Sequence, residues 1–148
     1  ILKEFNNRWF LVGKKKGAQP ITNLALDRIT SIDFDFNLPY IEEVFDAENF
    51  YKDVVGVTVN QGMNARKIEL WIDKENAPYV LTKPFHASQK LEKENEDGSI
   101  IITLKLKTNY EIERLLLGFG DGLEVISPNG LRLRIKDKLR KALLKYGE

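Results

Sequence analysis

The chain contains no cysteine, and it has one histidine, His86, and one methionine in 148 residues. Without thiols there is no disulfide framework, no Cys-ligated zinc and no thiolate nucleophile, a usage that fits a reducing cytoplasm. One histidine leaves at most one anchor for a catalytic triad, a His–carboxylate dyad or a multi-His metal site. Long apolar runs are missing too. The densest, Ile100 to Ile102, falls far short of the roughly 20 residues a membrane-spanning helix needs. Charge of one sign is also lacking, because 23 Lys plus Arg stand against 22 Asp plus Glu. The resulting +1 points by itself neither to nucleic acid nor to an acidic substrate, so any electrostatic role must come from local clustering. What remains, 43% hydrophobic and 30% charged residues, is the balance of a globular domain or of two small ones. The chain opens on Ile1 without a basic-then-apolar leader and therefore reads as part of a longer protein.

Residues 1–46 read as a small β unit. RWFLV, Arg8 to Val12, is aromatic and branched on both faces and runs into GKKKGAQP, as a strand entering an exposed loop does. A strand that is apolar on both faces calls for cover on both. NLALDRITSIDF alternates polar and apolar residues and is expected to pair with it. Residues 47–65 read as a connector, and the turn chemistry of Gly62 to Ala65 marks the boundary to a second module over 66–148.

That module has clearer periodicities. KIELWID puts Ile68, Leu70 and Ile72 on one strand face and Lys67, Glu69, Trp71 and Asp73 on the other. A short helix with Pro78 in its first turn follows. Asp97-Gly98 then predicts a hairpin whose second strand buries Ile100, Ile102, Leu104 and Leu106. Thr108 and Glu111 have the spacing of a reciprocal helix cap, with Ile112, Leu115, Leu116 and Phe119 at helical intervals behind them. Gly118 and Gly120 close that helix. DGLEVIS supplies a strand, and Ser127-Pro128 an N-cap and first-turn pair for a last helix with the stripe Leu131, Ile135, Leu139, Ala142 and Tyr146. The order β-α-β-β-α-β-α predicts a split βαβ, ferredoxin-like sandwich with an added helix.

Each chemical signal has a plain alternative. His86 in KPFHASQ is a lone loop histidine, which more often builds structure or touches a ligand than catalyses. GFGDG resembles a phosphate loop, but a phosphate loop opens a helix, whereas this one closes one. EKENED and IEEVFDAE are charge-dense solvated stretches with no acid–base spacing. Neither a catalytic set nor a metal or cofactor site is expected. The basic signals are stronger. Arg132, Lys136 and Arg140 share one face of the last helix, either as a solvated surface complementing the helix dipole or as a surface for an anion or a partner. Lys14, Lys15 and Lys16 form a second basic patch. Arg8 beside Trp9, with Arg28 on the paired strand, either holds a phosphate and stacks a base or closes ion pairs with Asp27 or Asp33.

RWFLVG followed by LALDRITSIDF resembles the second half of the WYL domain of bacterial transcriptional regulators. Trp9, Phe10 and Leu11 stand at the naming run, and Asp27 and Arg28 at the LDR motif. FDAENFYKDVVGV, PFHASQ, LLLGFGDGLEVISP and LRLRIKDKLRKALLKY are similar to the extension that follows WYL domains. The resemblance implies an α+β protein, a partial Sm- or SH3-like β-barrel followed by a ferredoxin-like extension. It implies a winged helix-turn-helix upstream, through which alone duplex DNA would be bound. It further implies a non-enzymatic ligand-sensing and dimerisation region, a homodimer that takes single-stranded nucleic acid or a nucleotide at Arg8, Trp9, Phe10 and Arg28. His86 and Arg132 match recurrent positions of the extension. Phe10 stands where the family has Tyr, removing a hydroxyl, and Ala25 where many members carry a further Arg. The resemblance implies that the opening strands of the barrel lie outside this sequence. The competing expectation is an oligomerisation module with no ligand, in which Trp71 and the apolar helix faces bury against another subunit.

Overall fold

A computed structural model describes residues 1–15, 17, 20–39 and 44–147. They form two compact units, Ile1–Lys52 and Asp53–Glu148, each built around its own antiparallel sheet.

The first unit holds three strands in the order β1-β2-β3: β1 (Leu2–Phe5), β2 (Arg8–Lys14) and β3 (Ile21–Ala25). The expected pairing of RWFLV with NLALD is present, with Leu11 opposite Leu24 and Val12 opposite Asn23. The hairpin from β1 to β2 turns on Asn6 and Asn7, both in the left-handed region at φ 51° and 60°. Two such residues match the twist of the flanking strands, and asparagine tolerates this conformation better than other non-glycine residues. β3 is shorter than its pattern predicts. It ends at Ala25, and Leu26–Arg28 form a 3-10 turn closed by Ile29 N–H donating to the Leu26 carbonyl at 3.2 Å. Asp27, a poor strand former, there reaches back to Arg8 at the end of the ladder.

One face of this sheet is covered by α1 (Ala47–Tyr51), whose N-cap Asp46 accepts from Asn49 N–H at 3.0 Å. The Tyr51 hydroxyl donates to Asn23 Oδ1 at 3.0 Å, and Lys3 Nζ stands 4.4 Å from the Tyr51 ring centre. Phe45, Phe50 and Tyr51 pack ring against ring beside it. The opposite face is different. Leu2, Leu11 and Leu24 lie side by side across the three strands and are exposed, as is Trp9 next to them. Cover on both faces of RWFLV was expected; among the described residues one face has it.

The second unit runs β4 (Arg66–Ile72), α2 (Ala77–Thr82), β5 (Lys90–Glu94), β6 (Ile100–Leu106), α3 (Tyr110–Leu117), β7 (Leu123–Ser127) and α4 (Asn129–Leu143). Its four strands lie in the order β5-β6-β4-β7, every neighbouring pair antiparallel. The period-2 pattern does what it predicts: Ile68, Leu70 and Ile72 from β4 and Ile100, Ile102, Leu104 and Leu106 from β6 are buried together. Val80 of α2, Ile112 and Leu116 of α3, and Leu131 and Ile135 of α4 close this core. Burying each such side chain stabilises the fold by about 1.5–3 kcal/mol relative to exposure. Asp97-Gly98 makes the expected hairpin, with Gly98 at φ 84° and Asp97 Oδ1 accepting from both the N–H and the hydroxyl of Ser99. Pro78 sits in the first turn of α2.

Of the segment 47–65, the beginning forms α1 of the first unit, while the part from Asp53 packs on the second. Val54 and Val57 are buried, and the Asp53 carbonyl accepts from Lys107 N–H at 2.8 Å. Two caps differ from the expected ones. Asn109, not Thr108, caps α3, its Oδ1 accepting from Ile112 N–H at 2.9 Å. Glu111 is thereby free to turn away and accept from Thr58. Pro128 occupies the N-cap of α4 and the helix starts at Asn129, one position later than a Ser127 cap would place it. The chain is thus α+β, with two antiparallel sheets and four α-helices among the described residues.

Candidate ligand and assembly surfaces

On β2, Arg8 and Trp9 are consecutive and point to opposite faces of the sheet. Arg8 takes the side of Phe10 and Val12, the face that α1 covers, and its guanidinium lies 3.1 Å from Asp27 Oδ2. Both partners of this pair are about half exposed, so its contribution to stability is at most about 1 kcal/mol. Arg28, the next residue, is exposed and makes no ion pair among the described residues. Arg8 and Arg28 thus both belong to the end of the β2–β3 ladder, Arg8 at the start of β2 with Asp27 against it and Arg28 in the 3-10 turn that follows β3. Trp9, 52% exposed, belongs instead to the apolar face with Leu2, Leu11 and Leu24. Phe10, half-buried opposite Lys3 and Ala25, lies on the covered face. Of the basic patch at the loop, Lys14 lies in β2, Lys15 is exposed, and Lys16 is outside the described residues.

In the second unit, His86 is half-buried and Nδ1 is engaged within its own loop. It accepts from Ser88 N–H at 3.1 Å and lies 2.9 Å from the Ser88 hydroxyl. That hydroxyl in turn accepts from Lys105 N–H at 3.0 Å, tying the loop to the edge of β6. Gln89 completes the fastening, accepting from Phe85 N–H and donating to the Val80 carbonyl, both at 2.9 Å. The geometry around His86 is that of a loop clasp. Arg132 is likewise engaged: its guanidinium donates to the Val125 carbonyl at 2.6 Å and pairs with Glu124 at 2.5 Å. Val125 is on β7, an edge strand, so the guanidinium occupies an acceptor that an incoming strand would use.

The strongest electrostatic feature was not legible as a site in the sequence. Glu113 of α3 is buried, and its two oxygens accept from Arg134 Nε at 2.6 Å and Lys138 Nζ at 2.5 Å, both on α4. Burial alone pushes this carboxyl up, but the two hydrogen bonds and the charges of Lys138 and Arg134 outweigh it and hold the group below the usual carboxylate range. Three of the basic residues of α4 are therefore spent on structure, Arg132 on β7 and Arg134 and Lys138 on α3. Lys136 and Arg140 remain at the surface, Arg140 with only a distant contact of 3.7 Å to Asp137.

Along α4 the apolar stripe changes environment. Leu131 and Ile135 are in the core, whereas Leu139 is 42% and Leu143 52% exposed, and Tyr146 in the 3-10 turn Leu144–Tyr146 is 87% exposed. The helix overhangs the body of its unit.

The WCX domain matches residues 64–143, more than half of the chain. This chain belongs to the WCX family. WCX is the C-terminal domain associated with WYL, so the similarity of the second half of the sequence to the extension of WYL regulators is a family relationship. The matched WCX residues run from just before β4 to the end of α4 and include His86, Glu113 and Arg132. No curated protein matches the chain. Among solved structures it is similar to proteasome accessory factor B/C (PafBC) of Arthrobacter aurescens, at 20% identity and a TM-score of 0.40 over 86% of this chain. The chain spans 19% of the length of that structure. No helix among the described residues of this WCX protein is long and apolar enough to cross a membrane.

Proposed function

We propose that this chain is the effector-sensing and dimerising region of a bacterial helix-turn-helix transcriptional regulator, and that its role is non-catalytic. The observation that carries the reading is the WCX match over 64–143, because that domain accompanies WYL sensor domains. The finer architecture follows the same reading. Numbered within the second unit, the strand order β5-β6-β4-β7 is 2-3-1-4, the arrangement a split βαβ produces, and we take it as ferredoxin-like. The three strands of the first unit we take as part of an Sm- or SH3-like barrel.

The ligand we assign is anionic, single-stranded nucleic acid or a nucleotide, held by Arg8 and Arg28. Arg28 offers an exposed guanidinium fork, and Arg8 can exchange its weak, half-exposed pair with Asp27 for a phosphate. Ligand occupancy would act through different affinities for two dimer arrangements. The test is a fluorescence-anisotropy titration of a short labelled single-stranded oligonucleotide, with wild type and the Arg8→Ala/Arg28→Ala variant compared at two salt concentrations. Saturable binding that weakens with salt and disappears in the variant supports the sensor. Equal binding by both proteins removes these arginines from the site.

A second reading, assembly without a ligand, is favoured by the uncovered stripe of α4 and the uncovered leucine face of the first sheet. Its mark is a stable dimer with no response to the oligonucleotide.

A further inference from the structure

Two uncovered apolar surfaces of opposite charge occur in this chain. After the 3-10 turn, residues 30–39 form no strand, yet Ile32 is 72%, Phe34 78% and Phe36 91% exposed. Asp35 closes a turn, its Oδ1 accepting from Asn37 N–H at 3.0 Å and its carbonyl from Leu38 N–H at 3.2 Å, and the rings of Phe34 and Phe36 stack with centres 6.0 Å apart. Between Ser31 and Leu38 the charges are Asp33 and Asp35, with no Lys or Arg. An exposed aromatic pair on a hydrogen-bonded acidic turn has the form of an interface anchor.

The second surface is the overhang of α4. Leu139 and Leu143 stand one helical turn apart, with Lys136 and Arg140 each three residues ahead of them and bordering the stripe. Packing this stripe on the same stripe of another copy would set lysine and arginine against lysine and arginine in a desolvating interface, which costs affinity. An acidic apolar partner is favoured instead, and the chain carries one.

We propose that the Phe34–Phe36 turn of one copy docks on the Leu139–Leu143 stripe of α4 in a second copy, and reciprocally, with Asp33 and Asp35 against Lys136 and Arg140. Each copy holds one of each surface, so reciprocal docking gives every copy one donor and one acceptor surface in the pair. This proposal rests on the dimerisation reading above and specifies its interface.

The experiment measures the oligomeric state of the full chain by sedimentation equilibrium, for wild type, for Asp33→Lys/Asp35→Asn and for Lys136→Glu/Arg140→Glu. Asn at position 35 retains the oxygen that closes the turn, and circular dichroism melting establishes that both variants are folded. Wild type is expected to dimerise more weakly as salt rises, and each variant to lose about tenfold or more in self-affinity. An equimolar mixture of the two variants should recover the dimer, because in the mixed pair both contacts again join opposite charges. A wild-type dimer that neither variant weakens, or a mixture no better associated than its components, overturns this interface while leaving dimerisation standing. A wild type monomeric at every concentration overturns both.

Discussion

Glu113 on α3 and Arg134 on α4 meet at 2.6 Å across the seam between the two helices, and Lys138 one turn further along α4 takes the second carboxylate oxygen at 2.5 Å. A buried carboxylate with both oxygens satisfied fixes where α4 lies, and so where its overhanging end begins. Leu131 and Ile135 supply most of the attraction, but apolar contacts are not directional, whereas two hydrogen bonds to one carboxylate set register.

Replacing Glu113 by Gln should lower stability by about 1–2 kcal/mol, the loss of charge-assisted bonds whose cationic ends are partly hydrated. The pH dependence has a definite sign. The folded-state pKa lies below the ordinary 4.5, so the contribution is complete above that value and is lost as pH falls through the depressed folded value. Denaturant titrations of wild type and Glu113→Gln at pH 7 and in acid should therefore converge at low pH. A difference that stays constant would mean that the carboxylate is not what secures α4.

Asn109 caps α3 and also donates from its amide nitrogen to the carbonyls of Val55 and Thr58, both at 2.8 Å. Asn109→Ala should cost about 2–3 kcal/mol, a lost cap plus two unsatisfied carbonyls. Hydrogen exchange is the discriminating measurement. Faster exchange is expected around residues 53–60 and at the start of α3, with the strands of the second sheet little changed.

Gly56 has φ 86°, and a Cβ there would stand 2.6 Å from Glu111 Cγ. Gly56→Ala combines a disfavoured backbone with a close contact and should lower stability by about 2 kcal/mol or more. Glu111→Gly removes the obstacle but also the bonds from Thr58 and adds a glycine to α3, so the double variant is expected to lose less stability than the sum of the two single variants, a coupling read from a double-mutant cycle of denaturation midpoints.

Trp9 is half exposed and on the face opposite Arg8, so Trp9→Ala should lower stability by about 1 kcal/mol, the lost packing and strand propensity of a half-covered ring. It should leave oligonucleotide affinity near wild type while Arg8→Ala/Arg28→Ala abolishes it. An equal loss in both variants would show that the ligand wraps the strand and contacts both faces.

Local pattern determined a good part of this protein. The alternation in KIELWID and SIIITLKL, the Asp97-Gly98 turn and the helical spacing from Ile112 onward dictate strands and helices whose apolar faces must meet, and their order leaves few arrangements. The family resemblance was likewise carried by contiguous residues. Other features depend on groups far apart in the chain. Thr108 and Glu111 have ideal cap spacing, yet the segment after Asp53 brings Thr58 to Glu111 and presents two carbonyls to Asn109, and that arrangement decides the cap. His86 and Arg132 look alike as candidate ligand contacts until folding ties the His86–Ser88 pair to Lys105 and brings the Val125 carbonyl to Arg132. The direction of Arg8 and Trp9 was implicit in strand alternation, but which of the two faces would be covered was decided by α1, some forty residues on. Periodicity specifies which side of an element is apolar; only the packed chain specifies what stands opposite it, because hydrogen bonds and ion pairs act over a few ångströms between residues whose separation in sequence carries no signal.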